Sequence, residues 1–143
     1  MGLDPDVIAR RLAKILEEVE FLKSIRMQSR KEFLDDGKSL RSTAKAIETI
    51  VQSVIDISSH IVAQNHWGVT DTYRTTIALL AKNKVIPSEL SEKLQQVVAM
   101  RNILIHQYLD VDFGLVWNSI DEIIEDAPRF IRSIKAFLGI VDD

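Results

Sequence analysis

The chain has 143 residues, enough for one domain with a sizeable core, and 46% of them are hydrophobic and 27% charged. It contains no cysteine, which excludes disulfides, thiolate zinc sites and cysteine nucleophiles and fits a reducing cytosol. The net charge of -3 gives no overall attraction to nucleic acid, and no apolar run approaches the ~20 residues that span a bilayer, so we expect a cytoplasmic protein that does not enter membranes.

The first half of the chain carries apolar residues at helical spacing, without the alternation that is typical of strands. Asp4 and Pro5 predict the start of the first helix, because aspartate caps a helix N-terminus and proline suits its first position. A polar segment with a turn at 35–37 follows, in which Phe33 and Leu34 favour a short helical turn. The second helix is predicted over about residues 39–65.

Two more helices are predicted after this one. Thr70-Asp71 marks a break and a new N-cap, and a short third helix follows over about residues 71–82. Pro87-Ser88 starts the fourth helix, which ends beyond residue 104.

The fifth helix completes the predicted fold. Asp112 is expected to cap it, Pro128 to kink or break it, and Gly139 to end it. These elements predict a single all-α domain over residues 1–143, an antiparallel bundle of about five helices.

The run 101–108, Arg-Asn-Ile-Leu-Ile-His-Gln-Tyr, combines a permanent cation, an imidazole and a phenol near the end of the fourth helix. Arg101 offers a planar fork of donors that suits phosphate, and His106 can take and give protons near neutral pH. RNA supplies its own nucleophile, the 2′-hydroxyl, and needs only proton transfer and a cation for the charge on phosphorus. The run therefore suggests cleavage of a phosphodiester without a metal. Asn102 can donate to phosphate, and Tyr108 can stack on a base.

The spacing of these residues leaves their arrangement open. Each residue of an ideal helix turns ~100°, so Arg101 and Tyr108 share a face whereas His106 lies ~140° from Arg101. Either the helix loosens near His106, or the arginine of one subunit acts with the histidine of another, which requires a dimer. The spacing is also compatible with no function at all: an exposed arginine, a histidine at the helix C-terminus and a half-buried tyrosine.

Other polar residues have two interpretations each. His60 and His66 favour ordinary polar or capping roles over a metal site, because Asp56 is the only obvious carboxylate nearby. Asp56 either pairs with a base of the first helix or reaches the site on the fourth.

Residues 23–45 hold seven bases and three acids (+4), and residues 110–143 hold three bases and eight acids (-5). One interpretation is that both segments are solvated helix faces. The other is that the basic segment binds RNA and the acidic segment docks another molecule.

The run 101–108 resembles the R-x4-H-x-Y motif of the HEPN superfamily, in its HepT-like branch of prokaryotic toxins. Similar sequence surrounds the motif at 97–100 and at Val111-Asp112, and it extends to 47–60 and 67–74. The resemblance covers about residues 5–138, nearly the whole chain.

This resemblance implies a small all-helical domain that forms a homodimer or higher oligomer, with both motifs lining one cleft. It implies a metal-independent endoribonuclease toxin of a toxin–antitoxin system that acts on RNA without a cofactor. Arg101 and His106 would be its catalytic pair and Asn102 a supporting residue. It also implies a cognate minimal nucleotidyltransferase antitoxin that inhibits the toxin by adenylylation of Tyr108. The added phosphate would occupy the site as a substrate phosphate does.

An alternative function remains open at this stage. Some HEPN proteins keep the fold without the nuclease, so the chain can instead be a non-catalytic helical partner or scaffold of a nucleotidyltransferase. The sequence lacks the Gly-Ser and paired Asp signature of a nucleotidyltransferase itself. It therefore resembles the toxin of such a pair and not the antitoxin.

Overall fold

The structure, a computed structural model, describes residues 4–69 and 71–140. Over these ranges the chain forms six α-helices, one 3-10 turn and no strand, which confirms the all-α prediction. The helices are α1 (Pro5–Ile25), α2 (Arg30–Leu34), α3 (Gly37–Gln64), α4 (Tyr73–Lys82), α5 (Ser88–His106) and α6 (Phe113–Leu138), with the 3-10 turn at Tyr108–Asp110. Five of them are the predicted helices, and α2 is the short helical turn expected around Phe33.

Side-chain caps explain where the first three helices begin. Asp4 accepts a hydrogen bond from the amide of Asp6, as the sequence predicts. Ser29 and Glu32 form a reciprocal capping box at the start of α2, and the Ser29 amide that donates to the Glu32 carboxylate lowers the pKa of that carboxyl. Asp36 caps α3, so Gly37 is its first residue and not part of the preceding turn.

Helix α4, which is the third of the predicted helices, begins later than the sequence predicts. Asp71 is not its cap, because Thr72 has the extended backbone of an N-cap and its hydroxyl accepts from the Thr75 amide at 3.0 Å. The other residue predicted there, Thr70, lies outside the described residues.

Proline does not interrupt the last helix. α6 continues through Pro128 from Phe113 to Leu138, so the predicted break is wrong. Proline removes one backbone hydrogen bond, but Ala127, Phe130 and Ile131 beside it are buried, and their packing keeps the helix in place. Asp112 caps α6 and Gly139 ends it at a φ of 70°, both as predicted.

Helix α3 forms the centre of the bundle and contacts α1, α2, α4 and α5. It is long and apolar enough to cross a membrane by length and composition, but 61% of its most apolar stretch is buried inside the protein. This burial identifies α3 as a core helix. Trp67, just after it, packs edge-on against Phe137 at 5.8 Å between ring centroids.

Ion pairs fix α5, the helix of the predicted motif, against α6. The side chain of Asp126 on α6 is 3% exposed, and one of its oxygens lies 3.8 Å from Lys93 Nζ on α5. The same oxygen accepts from Arg129, whose guanidinium also binds Glu89 on α5. The two helices are thereby joined near the start of α5, well before the motif.

Candidate active site

Helix α5 keeps its α-helical form through the whole motif up to His106. The amide of Gln107 still bonds to the carbonyl of Ile103 at 2.8 Å, and only then does the chain enter the 3-10 turn that begins at Tyr108. The helix therefore does not loosen before His106. Of the two arrangements that the sequence leaves open, the first, a helix that loosens near His106, is met only after His106, where the α-helix ends and the 3-10 turn follows.

Arg101 is half-buried and faces α3 and α4. Its Nη2 donates to Gln52 Oε1 at 2.9 Å, and its Nη1 donates to Asn102 Oδ1 at 3.2 Å. Its Cζ lies 5.9 Å from the ring centroid of Tyr73, a distance at which a cation and an aromatic ring attract. The exposed-arginine interpretation is therefore wrong, because three neighbours restrict this side chain.

Gln52 connects Arg101 to two further charged residues. Its Nε2 donates to Asp56 Oδ1 at 2.9 Å, and Asp56 Oδ2 lies 2.9 Å from Arg11 Nη1 on α1. Both interpretations of Asp56 are thus met at once. It pairs with a base of the first helix, and through Gln52 it reaches the site on α5.

His106 is exposed at the end of α5, where a protonated imidazole interacts favourably with the helix dipole. No hydrogen bond or ion pair involves it within 4–69 and 71–140. The fold thus brings Arg101 together with Gln52, Asn102 and Tyr73, but it does not bring His106 to Arg101 within one chain.

Tyr108 opens the 3-10 turn and is 37% exposed. Its ring meets that of Phe113 edge-on at 5.7 Å between centroids, so the tyrosine is packed on one side and open on the other. Apolar side chains are exposed around it: Ile103 at 47%, Ile105 at 38% and Leu109 at 97%. Exposed apolar side chains near a polar site can contribute to a surface that binds another protein.

An open cavity of about 400 Å³ lies beside Arg101, between the start of α4 and the second half of α5. Its lining consists of Asp71, Thr72, Tyr73, Arg74, Val98 and Asn102. Its aromatic, cationic and amide groups are those that contact bases and phosphates in single-stranded RNA. Sequence reasoning missed Tyr73, Arg74 and Gln52 as site residues. Gln52 had a signal in its position four residues before Asp56, in a largely apolar stretch of α3, and Tyr73 and Arg74 lie within the segment 67–74 that carries the resemblance.

The basic segment 23–45 is less available to RNA than its charge suggests. Four of its seven bases form ion pairs: Lys23 with Glu20, Arg26 with Asp121, Lys31 with Asp35, and Lys45 with Glu48. This supports the interpretation as solvated helix faces. In the described part of the chain, no three His, Cys, Asp or Glu side chains cluster as metal ligands would, and His60 is exposed.

Comparison with known proteins assigns the family. The model of the ribonuclease HepT-like family matches residues 15–134. The chain belongs to the HepT-like ribonuclease family. The resemblance carried by 101–108 is thereby confirmed.

HepT-like relatives match over almost their full length. A protein of Shewanella oneidensis named mRNA nuclease HepT is 28% identical over 92% of this chain and 98% of its own. One of Aphanizomenon flos-aquae named tRNA nuclease HepT is 26% identical over 99% of this chain and 97% of its own. A tri-AMPylated HEPN toxin of Shewanella oneidensis, solved in complex with MNT antitoxin, has a TM-score of 0.86 and 28% identity, and the match covers 93% of this chain and 99% of that one.

Proposed function

We propose that this protein is the ribonuclease toxin of a toxin–antitoxin pair, acts on RNA in the cytoplasm without a metal, and is inhibited when a minimal nucleotidyltransferase adenylylates Tyr108. One observation carries this proposal. The full set Arg101, Asn102, His106 and Tyr108 lies at the open end of α5 in a chain whose full-length relatives are named mRNA and tRNA nucleases.

The proposed reaction uses the 2′-hydroxyl of the RNA as nucleophile. His106 takes the proton from this hydroxyl, and the oxygen attacks the adjacent phosphorus while the bond to the 5′-oxygen breaks. The leaving 5′-oxygen takes a proton from water, His106 returns its own proton to solvent, and a 2′,3′-cyclic phosphate remains on the first fragment. Arg101 stabilises the extra negative charge on phosphorus, and Asn102 donates to the same phosphate. The base next to the cut enters the cavity and stacks on Tyr73.

The site is proposed to form between two subunits. Within one chain Arg101 points towards α3 and His106 into solvent, and the helix that joins them is regular. A two-fold axis beside α5 would pair each arginine with the partner's histidine, in two equivalent sites. Exposed apolar side chains near the end of α5, such as Ile105, support this, because an interface that covers one of them removes apolar surface from water.

Adenylylation of Tyr108 would block this site directly. The tyrosine is partly exposed and two residues from His106, so a phosphate on its hydroxyl competes with substrate phosphate for the same cationic groups. The tri-AMPylated relative in complex with MNT antitoxin supports this form of control.

Cleavage of RNA in the presence of a chelator tests the proposal. Wild-type protein is expected to cleave, and Arg101→Ala and His106→Ala to lose activity by at least about a hundredfold. Arg132→Ala and His60→Ala are controls, since each removes a residue of the same type, exposed and away from the site. Equal cleavage by all five proteins would identify a contaminating nuclease. A tight complex with the nucleotidyltransferase and no cleavage in any state would favour the scaffold function instead.

A further inference from the structure

Four side chains form a continuous series of polar contacts, one ion pair and two hydrogen bonds, from the first helix to the candidate active site. Arg11 on α1 pairs with Asp56 on α3, Asp56 accepts from Gln52 one turn earlier, and Gln52 accepts from Arg101 on α5. All three atom pairs are 2.9 Å apart, the ordinary length of a good hydrogen bond.

We propose that Gln52 is a positioning residue that holds the guanidinium of Arg101 ready for the RNA phosphate, and that the Arg11–Asp56 pair sets the orientation of Gln52. This inference rests on the proposed ribonuclease function. It adds two residues of α3 and one of α1 to the machinery of that site, none of which touches the reacting atoms.

The orientation of the Gln52 amide between Asp56 and Arg101 follows from which groups can donate hydrogen bonds. A carboxylate only accepts hydrogen bonds, so Asp56 selects the amide nitrogen of Gln52 as its partner. The amide oxygen of Gln52 is then left facing Arg101, where a donor is required. If the amide flipped, its NH₂ would face a guanidinium and its oxygen a carboxylate, and both contacts would be repulsive. Arg11 keeps the carboxylate in place through the oxygen that Gln52 does not use.

The neutral charge of Gln52 is central to the proposal. A glutamate here would also accept from Arg101, but it has no donor for Asp56, and its negative charge would compete with phosphate for the guanidinium. An amide oxygen holds the arginine and leaves its full charge for the substrate.

Stability alone does not explain this arrangement. The side chains of Arg11 and Asp56 are 39% and 29% exposed, and water screens ion pairs of this exposure so that they add little to folding. Loss of these contacts is therefore expected to change the position of the Arg101 guanidinium more than the free energy of unfolding. A displacement of about 1 Å of a substrate-binding group can lower a rate by about a hundredfold.

The experiment combines RNA cleavage, thermal unfolding and ¹⁵N NMR of the arginine side chains in the full-length protein. We compare Gln52→Leu, Gln52→Glu and Asp56→Asn with two controls. Gln95→Leu removes a half-buried glutamine of α5 whose hydrogen-bond partner among the described residues is Ser91 alone. Glu48→Gln neutralises a carboxylate one turn before Gln52. The Arg101 signal is assigned by its absence in Arg101→Lys.

Gln52→Leu and Asp56→Asn are expected to lower kcat by about ten- to a hundredfold, while the midpoint of unfolding stays near that of wild type. Near neutral pH, the kcat of Gln52→Glu is expected to be as low as that of Gln52→Leu. As the pH falls, its kcat should rise relative to that of wild type, because a protonated glutamate is again a neutral acceptor. In Gln52→Leu the Arg101 guanidinium should rotate faster than in wild type. Neither control should change any of these measurements.

Three results would overturn the proposal. Arg101 rotation that is the same in wild type and Gln52→Leu would show that Gln52 does not hold it, whether or not the protein cleaves RNA. Altered rotation with unchanged kcat would show that the contact has no role in the reaction. A constant ratio of Gln52→Glu to wild-type activity across pH would show that the charge at this position is irrelevant. If wild type cleaves no RNA, the ribonuclease proposal fails, and the NMR comparison still decides whether Gln52 positions Arg101.

Discussion

Removal of the Asp112 carboxylate is expected to destabilise the turn that joins the motif to α6. Asp112 Oδ1 accepts from the amides of Gly114 at 2.9 Å and Leu115 at 3.4 Å, so Asp112→Ala leaves two amides at the helix N-terminus without their acceptor. Loss of such a cap costs about 1 kcal/mol, within a range of roughly 0.5–2 kcal/mol. In a chain of this length, that cost lowers the melting temperature by about 3 °C.

Asp110→Ala is the matched control for this variant. It removes the same charge two residues earlier, and the Asp110 side chain has no partner within the described chain. Its free energy of unfolding should stay within about 0.5 kcal/mol of wild type. Urea unfolding measures the free energy of unfolding of both variants.

Hydrogen exchange localises the effect. The amides of Gly114 and Leu115 should exchange about fivefold faster in Asp112→Ala, the ratio that corresponds to about 1 kcal/mol of local opening. The neighbouring contact between Tyr108 and Phe113 should loosen with them. Equal losses of stability in both variants would refute this reasoning, because they would reflect charge and not the cap.

Three more outcomes are expected. Asp126→Asn should lower the free energy of unfolding by about 1–3 kcal/mol in urea, because the nearly buried carboxylate contacts Lys93 and Arg129; an unchanged value would contradict this role. Arg129 donates to Glu89 and lowers the pKa of that carboxyl below its ordinary 4.5, so this contact stabilises the fold above that pH and is lost as the pH falls. Glu89→Gln should therefore melt lower than wild type at pH 7, and the gap should close towards pH 3; a constant gap would exclude the ion pair as its cause. Tyr108→Phe should cleave RNA but gain no adenylate mass when it is made with its nucleotidyltransferase, and a mass gain equal to that of wild type would place the modification elsewhere.

Local signals in the sequence predicted most of the helices. Caps such as Asp4 and Asp112 and the final Gly139 act within a few residues of themselves, so their positions can be read directly. Of the predicted kink or break at Pro128, the break is wrong because buried neighbours pack around the proline, and packing is not visible in a local pattern. Thr72 was missed for a similar reason, since Asp71 is an equally good cap by type and only the backbone shows which residue is extended.

The site was predictable only in part. The angle between Arg101 and His106 follows from helix geometry, and the regular α5 bears it out. The partners of Arg101 were not predictable, because Gln52 is 49 residues away in sequence and Tyr73 lies on another helix. Such contacts depend on how α3, α4 and α5 pack. The sequence offered only the spacing of Gln52 and Asp56 on one helix face.

Subunit complementation is the most direct measurement of the shared site. Inactive Arg101→Ala and inactive His106→Ala are co-expressed in equal amounts, and the mixed dimers are assayed for RNA cleavage with chelator present. If each site takes its arginine from one subunit and its histidine from the other, about half of the dimers are mixed, each regains one of two sites, and about a quarter of wild-type activity returns. If both residues act within one chain, every mixed dimer has two defective sites and no activity returns.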